Sequence, residues 1–277
     1  MRGHRVLFAS ATALLALPAC GTQEVGFAPD EVMFISPRTE ADQGALMIWF
    51  EPTADTFAQE QAGTANLTPY RVSIDGKLLL YGDSASAQPQ PEPVSILEGG
   101  GFAAGYFASG AHHIALTRAG GGPTIFAGDG EIPWNSFTTL YLYGHRDALQ
   151  GVWVSAPITP APDTLHVTVT NMVRVGPRIE VVRCAPGGDC TPVSAPLALA
   201  ETFDGDYAGA ELRTGVELGM RQVASAALPA PPVIPLSPRL DQGLQDGTLK
   251  LPTSVVVAPV YGTEEGYLPE LSGGFYP

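Results

Sequence analysis

Short apolar or alternating runs, separated by residues typical of turns, recur along most of the chain. Alternation is typical of half-buried β-strands, and runs about 8 to 12 residues apart are typical of β-sandwiches. After the run at Tyr70–Ile74, Asp75-Gly76 favours a tight hairpin, because both residues of a type I′ turn need a positive φ. The predicted strands cover residues 45–50, 70–74, 77–81, 102–107, 112–117, 124–127, 138–143, 151–155, 165–170, 178–183, 196–200, 207–212, 216–222, 248–251 and 254–261.

A proline-rich stretch divides these strands into two series. Pro157, Pro160 and Pro162 fall close together near the middle of the chain. Proline cannot donate a ladder hydrogen bond and it stiffens linkers, so we place a domain boundary there. The sequence therefore predicts an all-β fold of two domains, with bounds at residues 44–156 and 165–277 and a linker at 157–164.

The two series repeat one another in order. Each has an aromatic-bounded segment, then a segment that opens with Gly, then a late strand that closes on Tyr-Gly. These segments are residues 102–106, 110–116 and 140–144 in the first series and 203–207, 215–218 and 258–262 in the second. Two copies of one supersecondary plan are the simplest account of this order.

Three features of the first series resemble the DUF4397 family, a group of extracytoplasmic bacterial β domains of unknown function that occur in lipoproteins and in tandem. They are the strand Arg71 to Lys77 ending in Asp-Gly-Lys, the Gly-x-His opening at 110–114, and the closing Tyr143-Gly144. The resemblance implies two tandem Greek-key β-sandwich domains of the immunoglobulin or transthyretin kind. The second series lacks Asp-Gly-Lys and follows the pattern more faintly. The family has no assigned activity, so the resemblance bears on fold and location alone.

The first residues have the pattern of an export signal. Arg2 and Arg5 precede an apolar stretch at 6–17, which has the length of a signal-peptide core and is shorter than the roughly 20 residues of a membrane-spanning helix. We therefore assign residues 1–19 to a lipoprotein signal peptide and residues 20–43 to the lipidated cysteine and a short tether.

Leu17-Pro18-Ala19-Cys20 resembles the bacterial lipobox. In lipoproteins the Cys thiol receives a diacylglycerol, the leader is cut before it, and the new amino group is acylated, often with palmitate. Several acyl chains make the attachment to a membrane effectively permanent. Gly21 in place of Asp resembles the pattern sent to the outer membrane. The alternative is an ordinary cleavable signal with a chance Cys.

Composition and charge narrow the class of protein. The 32 Gly and 26 Pro favour a β protein with many turns. The formal net charge is −14, and loss of Arg2 and Arg5 with the leader leaves −16. Such a surface repels phosphate backbones and anionic headgroups, so we expect no nucleic-acid partner and no electrostatic docking on a membrane.

The two remaining cysteines predict a disulfide. Cys184 and Cys190 flank Pro186-Gly-Gly-Asp189, which is strong turn chemistry and brings them face to face across a hairpin. An exported protein meets an oxidising compartment, where such a pair closes. Two cysteines alone cannot make a zinc site, and their spacing is not the redox C-x-x-C.

Histidines and acidic residues are the other candidates for chemistry. His112 and His113 are neighbours on a strand, so they point to opposite faces and cannot chelate one ion together. Asp204-Gly-Asp206 and the acidic residues of 128–131 place oxygen ligands in predicted turns, as Ca²⁺ requires, but neither reaches the ligand count of an EF-hand loop. Solvated turns are the simpler interpretation, and we predict no cofactor.

Four aromatic residues suggest a ligand-facing surface. Trp134, Tyr141, Tyr143 and Trp153 lie on or next to late strands, and the two tyrosines share one strand face. Exposed aromatic rings stack on sugars and anchor protein partners. The alternative is that these rings belong to a sandwich core.

The sequence therefore predicts a non-enzymatic lipoprotein of the bacterial cell envelope, in the outer membrane, with a structural or binding role. Its expected partners are the membrane, through the lipid on Cys20, and a polysaccharide or an envelope protein. No H-E-x-x-H, G-x-S-x-G, S-x-x-K or P-loop motif is present. Catalytic triads assemble from distant residues, so an unrecognised periplasmic enzyme and a carbohydrate-binding accessory protein are the alternatives.

Overall fold

A computed structural model describes residues 32–34, 42–51, 69–81, 93–173, 178–224, 232–236, 250–259, 271–272 and 275–276. Within these residues the regular elements are β-strands, apart from the short helix α1 (Gly209–Leu212). The predicted all-β fold is therefore confirmed. In the same residues no helix combines the length and the apolar character needed to cross a membrane.

The strands fall into two halves that meet between residues 157 and 164. In the first half they are β1 (Val32–Phe34), β2 (Gln43–Phe50), β3 (Tyr70–Ile74), β4 (Lys77–Leu80), β5 (Ser95–Ile96), β6 (Gly100–Ala108), β7 (Gly110–Arg118), β8 (Thr124–Ile132), β9 (Ser136–His145) and β10 (Ala148–Pro157). In the second half they are β11 (Thr164–Thr170), β12 (Ile179–Cys184), β13 (Cys190–Pro192), β14 (Thr202–Ala208), β15 (Glu217–Gln222), β16 (Ile234–Pro235), β17 (Thr253–Pro259), β18 (Leu271–Ser272) and β19 (Phe275–Tyr276).

Three of the predicted strands need correction. Residues 196–200 form a turn with one isolated bridge from Leu197 to Ile179, since Pro196 has no N–H to donate to a ladder. The predicted strand at 207–212 is only partly a strand. β14 ends at Ala208, and α1 follows and places Leu212 in the core. Residues 250–251 form no strand, and 248–249 lie outside the described residues.

The first half is a pair of packed sheets. Sheet A has the order β1-β4-β3-β7-β8 with β5 beside β3, and sheet B has the order β10-β9-β2-β6. The inward side chains alternate along each strand, as on β3, where Tyr70, Val72 and Ile74 are buried. The core between the sheets is formed by Leu46, Ile48, Phe50, Tyr70, Val72, Ile74, Leu79, Val94, Ile96, Ala104, Phe107, Ile114, Leu116, Phe126, Ile132, Leu140 and Leu142.

The second half repeats the strand order of the first. Sheet C has the order β14-β11-β17-β18 with β19 beside β17, and sheet D has the order β13-β12-β15-β16. In sheet C, β11 pairs antiparallel with β14 and parallel with β17, as β2 pairs with β6 and β9 in sheet B. Sheet D likewise follows the β4-β3-β7-β8 part of sheet A. The similar segments at 102–106 and 203–207 fall on the equivalent strands β6 and β14.

A third buried cluster, here called the seam, joins the two halves. Tyr141, Tyr143 and Val154 of sheet B pack there against Met172 and Ala258 of the second half. The neighbouring residues on β9, Leu140 and Leu142, face the first core, so alternation sends the tyrosines to the outer face. A hydrogen bond from the Ser254 hydroxyl to the Pro157 carbonyl also joins the halves. The halves therefore lie side by side along β9, β10 and β17.

Candidate functional site

The hairpin of β12 and β13 is closed by the predicted disulfide. Cys184 and Cys190 are paired directly across the two strands, with their Cα atoms 4.0 Å apart, and their sulfur atoms are bonded. The disulfide prediction is confirmed. A cavity of about 280 Å³ lies beside this hairpin, between it and the strand ends at Glu217 and Pro235. The predicted lipidation site, Cys20, lies outside the described residues.

The four aromatic candidates separate into one exposed residue, two buried residues and one partly buried residue. Trp134 is 63% exposed in the turn between β8 and β9. Tyr141 and Tyr143 are buried in the seam, and the Trp153 ring occupies the space that a Cβ at Gly130 would need. For Tyr141 and Tyr143 the ligand-facing interpretation is wrong, because packing between the halves covers their rings, whereas Trp153 is partly buried against the first core. Burial also raises the pKa of the Tyr143 hydroxyl, which donates to Gln150 Oε1 at 2.8 Å.

The adjacent histidines on β7 bind different carboxylates. His112 Nδ1 lies 2.8 Å from Asp75 Oδ2 and its Nε2 lies 2.8 Å from the Ala108 carbonyl, so both ring nitrogens face acceptors. His113 Nδ1 lies 2.7 Å from Asp129 Oδ1 on the neighbouring strand. Each ring nitrogen of His112 that carries a proton therefore has an acceptor within hydrogen-bond distance. The predicted division of the two rings between opposite faces matches these partners.

Hydrogen bonds and the charges of two histidines together lower the pKa of the Asp75 carboxyl by more than burial raises it. Burial alone would raise the pKa of this carboxyl, but the His113 backbone N–H and the His112 ring donate to it, and the two histidine charges favour the anion. The net result is a pKa below its ordinary value of 3.8. The Asp75-Gly76 turn of the first hairpin is therefore held by charge-assisted hydrogen bonds.

The acidic candidates for calcium lie on strands and not in turns. Asp204 and Asp206 belong to β14, where Asp206 Oδ1 lies 2.8 Å from His166 Nδ1. The Thr168 hydroxyl donates to Asp204 at 2.7 Å and lies 3.2 Å from His166 Nε2. Asp129 lies on β8 beside His113. The predicted turn placement is wrong, and among the described residues no three His, Cys, Asp or Glu side chains are grouped to hold a metal ion.

A cleft at the far end of the first half brings together ionisable side chains that are distant in sequence. It has a volume of about 380 Å³. It is lined by Tyr70, Arg118, Pro123, Thr124, Ile125, Arg146 and Asp147. It lies where β3 begins and β7 ends, since Tyr70 is paired with Arg118.

Glu98 is buried and binds two of the residues that line this cleft. Its side chain is 2% exposed, and its Oε1 accepts hydrogen bonds from Arg146 Nε at 3.0 Å and Nη2 at 2.9 Å. The Tyr70 hydroxyl donates to the same oxygen at 3.2 Å. A buried carboxylate is costly unless it is paired and hydrogen-bonded, so these donors hold it as the anion. Burial, and next the Glu98 charge, raise the pKa of Tyr70 and keep it a donor.

This arrangement offers a preorganised polar wall. The guanidinium and phenol groups are fixed by the buried carboxylate, while Thr124 and Asp147 line the cleft nearby. Such groups can hydrogen-bond a small polar ligand. No histidine lines either of the two cavities described above. Sequence patterns could not find the Glu98 cluster, because its partners lie 28 and 48 residues away along the chain.

No protein-family model and no curated protein matches the chain. Among solved structures the chain is similar to the Bacillus anthracis TIE protein, with 10% identity over 66% of this chain and a TM-score of 0.21. The match spans 28% of that protein's length. At this level of similarity the neighbour carries no argument about activity or partners.

Proposed function

We propose that the chain is a lipid-anchored, extracytoplasmic protein of the bacterial cell envelope with a structural or binding role and no catalytic activity. The observation that carries the proposal is the Cys184–Cys190 disulfide. Disulfides persist in oxidising compartments, as an exported protein requires. Because this bond takes two of the three cysteines, Cys20 is left at the end of the apolar leader for lipidation.

The proposal includes two tandem β-sandwich domains of the DUF4397 kind, at residues 44–156 and 165–277. The shared strand order of the two halves and their separate cores support it. A Greek-key, immunoglobulin- or transthyretin-like description of each half and the relation to that family belong to the same proposal. The ligand of such modules would be a polysaccharide or an envelope protein, with the cleft at Tyr70 and Arg146 as the site for a polar group.

The test compares the wild type with Cys20→Ser after growth with labelled palmitate. We expect the wild type to carry the label and to sediment with membranes, whereas Cys20→Ser does neither. The double variant Cys184→Ser with Cys190→Ser is the matched control, because it removes cysteines without touching the leader and keeps the label. A Cys20→Ser protein that stays labelled and membrane-bound contradicts the proposal.

Protease treatment of intact cells then shows whether the anchored protein faces the cell exterior or the periplasm. If the anchored wild type is cleaved on whole cells, the halves face outward and bind an external partner. If cleavage requires broken cells, the protein faces the periplasm and acts within the envelope. The disulfide-free control should show the same sidedness as the wild type.

A further inference from the structure

Several turns of the first half meet at one end, here called the tether end. It comprises the Asp75–Gly76 turn, the connection from β6 to β7, and the connection from β8 to β9. Register places them together: β2 begins at Gln43 opposite Ala108, and β7 begins at Gly110 opposite Ile132. The Asp75 N–H donates to the carbonyl of His113, near the start of β7.

The chain also reaches the described fold at the tether end. β1 begins at Val32, inside residues 20–43 that the sequence assigned to the tether, and Val32 is paired with Leu78 just after the Asp75–Gly76 turn. The predicted tether bounds are therefore wrong, because β1 already belongs to sheet A. Cys20 lies 12 residues before Val32. A fully extended chain of that length spans at most about 40 Å. A lipid on Cys20 would therefore keep the tether end within about 40 Å of the bilayer surface.

Trp134 projects from this end on a fixed turn. Its side chain is 63% exposed, the largest exposure among the large hydrophobic side chains of the described residues. The following residue, Asn135, donates its N–H to the Gln43 carbonyl at 3.4 Å and accepts a hydrogen bond from the Ile158 N–H at 2.8 Å. These bonds tie the turn to the start of β2 and to the chain after β10.

We propose that Trp134 lies in the headgroup region of the membrane that the lipid anchor enters. This inference rests on the proposed lipidation of Cys20. Tryptophan is enriched at membrane–water interfaces, because its ring is apolar and its indole N–H is polar. Because the anchor tethers this end to the bilayer, the effective concentration of lipid around Trp134 is high. A single weak contact is then enough to keep Trp134 in the headgroup region.

The charge at the tether end sets the kind of membrane. Asp42 precedes Gln43, whose carbonyl accepts a hydrogen bond from the residue after Trp134, and Glu131 lies on β8 three residues before Trp134. Without the leader the chain carries a net charge of −16. Acidic side chains are repelled by anionic headgroups. The partner is therefore a zwitterionic lipid surface, and anionic lipid should weaken the contact.

The experiment uses the lipidated full-length chain in phosphatidylcholine vesicles with or without brominated acyl chains. Trp134→Phe leaves Trp49 and Trp153, which are only partly buried but pack against the seam and the first core. A reporter control adds Leu97→Trp to Trp134→Phe, since Leu97 is 43% exposed and follows β5 at the opposite end of β3. Flotation of the vesicles measures anchoring, and quenching of tryptophan emission measures contact.

We expect all three proteins to float, with quenching of the wild type several-fold stronger than quenching of either variant. A wild type that floats but is quenched no more than Trp134→Phe overturns the inference and leaves the anchor intact. Equal quenching of the reporter at position 97 also overturns it, because contact would then not be specific to the tether end. A wild type that does not float contradicts the anchor itself, and the inference fails with it.

Discussion

Each half holds a Glu and an Arg beside a Tyr, but the surroundings differ. In the first half the Glu98 side chain is 2% exposed and pairs with Arg146 at 2.9 Å. In the second half the Glu211 side chain is 31% exposed and pairs with Arg183 at 2.5 Å. From the distances alone, the second ion pair would be expected to stabilise the fold more than the first. Burial reverses that order, because a buried carboxylate without its partner is far more costly than an exposed one.

The equivalent hairpins of the two halves also differ. The hairpin of β3 and β4 is closed by Asp75 and Gly76, with φ angles of 52° and 76°, and this confirms the predicted type of turn. The hairpin of β12 and β13 is closed by the Cys184–Cys190 bond. One position in the repeated strand order is therefore held by turn geometry and hydrogen bonds, and its counterpart is held covalently.

The largest effect should come from breaking the buried ion pair. We expect Arg146→Ala to lower the free energy of unfolding by about 3 kcal/mol, because the buried Glu98 carboxylate loses the ion pair and the hydrogen bonds that Arg146 provides. The matched control Arg183→Ala should cost less than about 1 kcal/mol, since the pair it breaks is partly exposed. Urea denaturation measures both. Equal costs for the two variants would remove the contrast between the halves.

Loss of the disulfide should have the next largest effect. The double variant Cys184→Ser with Cys190→Ser should lower the free energy of unfolding by about 2.4 kcal/mol, since the short loop is no longer closed in the unfolded chain. Thermal melting of the wild type in reducing buffer should show the same shift. Unchanged melting, with both thiols free before reduction, would contradict the disulfide.

A turn substitution probes the hairpin of the first half. Gly76→Ala should cost about 1 kcal/mol, because Gly76 has a φ of 76° that residues with a Cβ disfavour. Gly188→Ala in the other hairpin loop is the control and should cost less, since Gly188 is not among the residues with positive φ. If urea denaturation ranks the two variants the other way round, turn geometry does not hold the first hairpin.

The smallest effect is a pH dependence at Asp75. The pKa of this carboxyl is lowered in the folded chain, so its stabilising effect is complete above its ordinary value of 3.8 and is lost as pH falls through the folded pKa. Asp75→Asn should therefore be less stable than the wild type at pH 7, and the difference should shrink as acid is added. Melting curves across that range measure the gap. If the difference in stability between the two proteins grows as the pH falls, the lowered pKa of Asp75 is contradicted.

Much of the fold could be predicted because its signals are local. Alternation located β3 and β11, and Asp75-Gly76 located a hairpin turn. The error at 196–200 arose where Pro196 opens a short apolar run, and α1 arose within a run that resembles a strand. Short runs of this kind do not distinguish a strand from a turn or from one helical turn.

The sites that depend on long-range packing could not be predicted. The shared face of Tyr141 and Tyr143 followed from alternation, but the sequence did not indicate that Met172 and Ala258 cover it. The position of Glu98 beneath Arg146 depends on strands that are far apart along the chain. Only the assembled sheets bring these groups together.

The most direct test of the central claim is mass spectrometry of the mature N-terminal peptide from membranes. The account predicts a chain that begins at Cys20 and carries a diacylglycerol on its thiol and an acyl group on its amino terminus. A peptide that begins elsewhere, or a Cys20 with a free thiol, would contradict the lipid anchor.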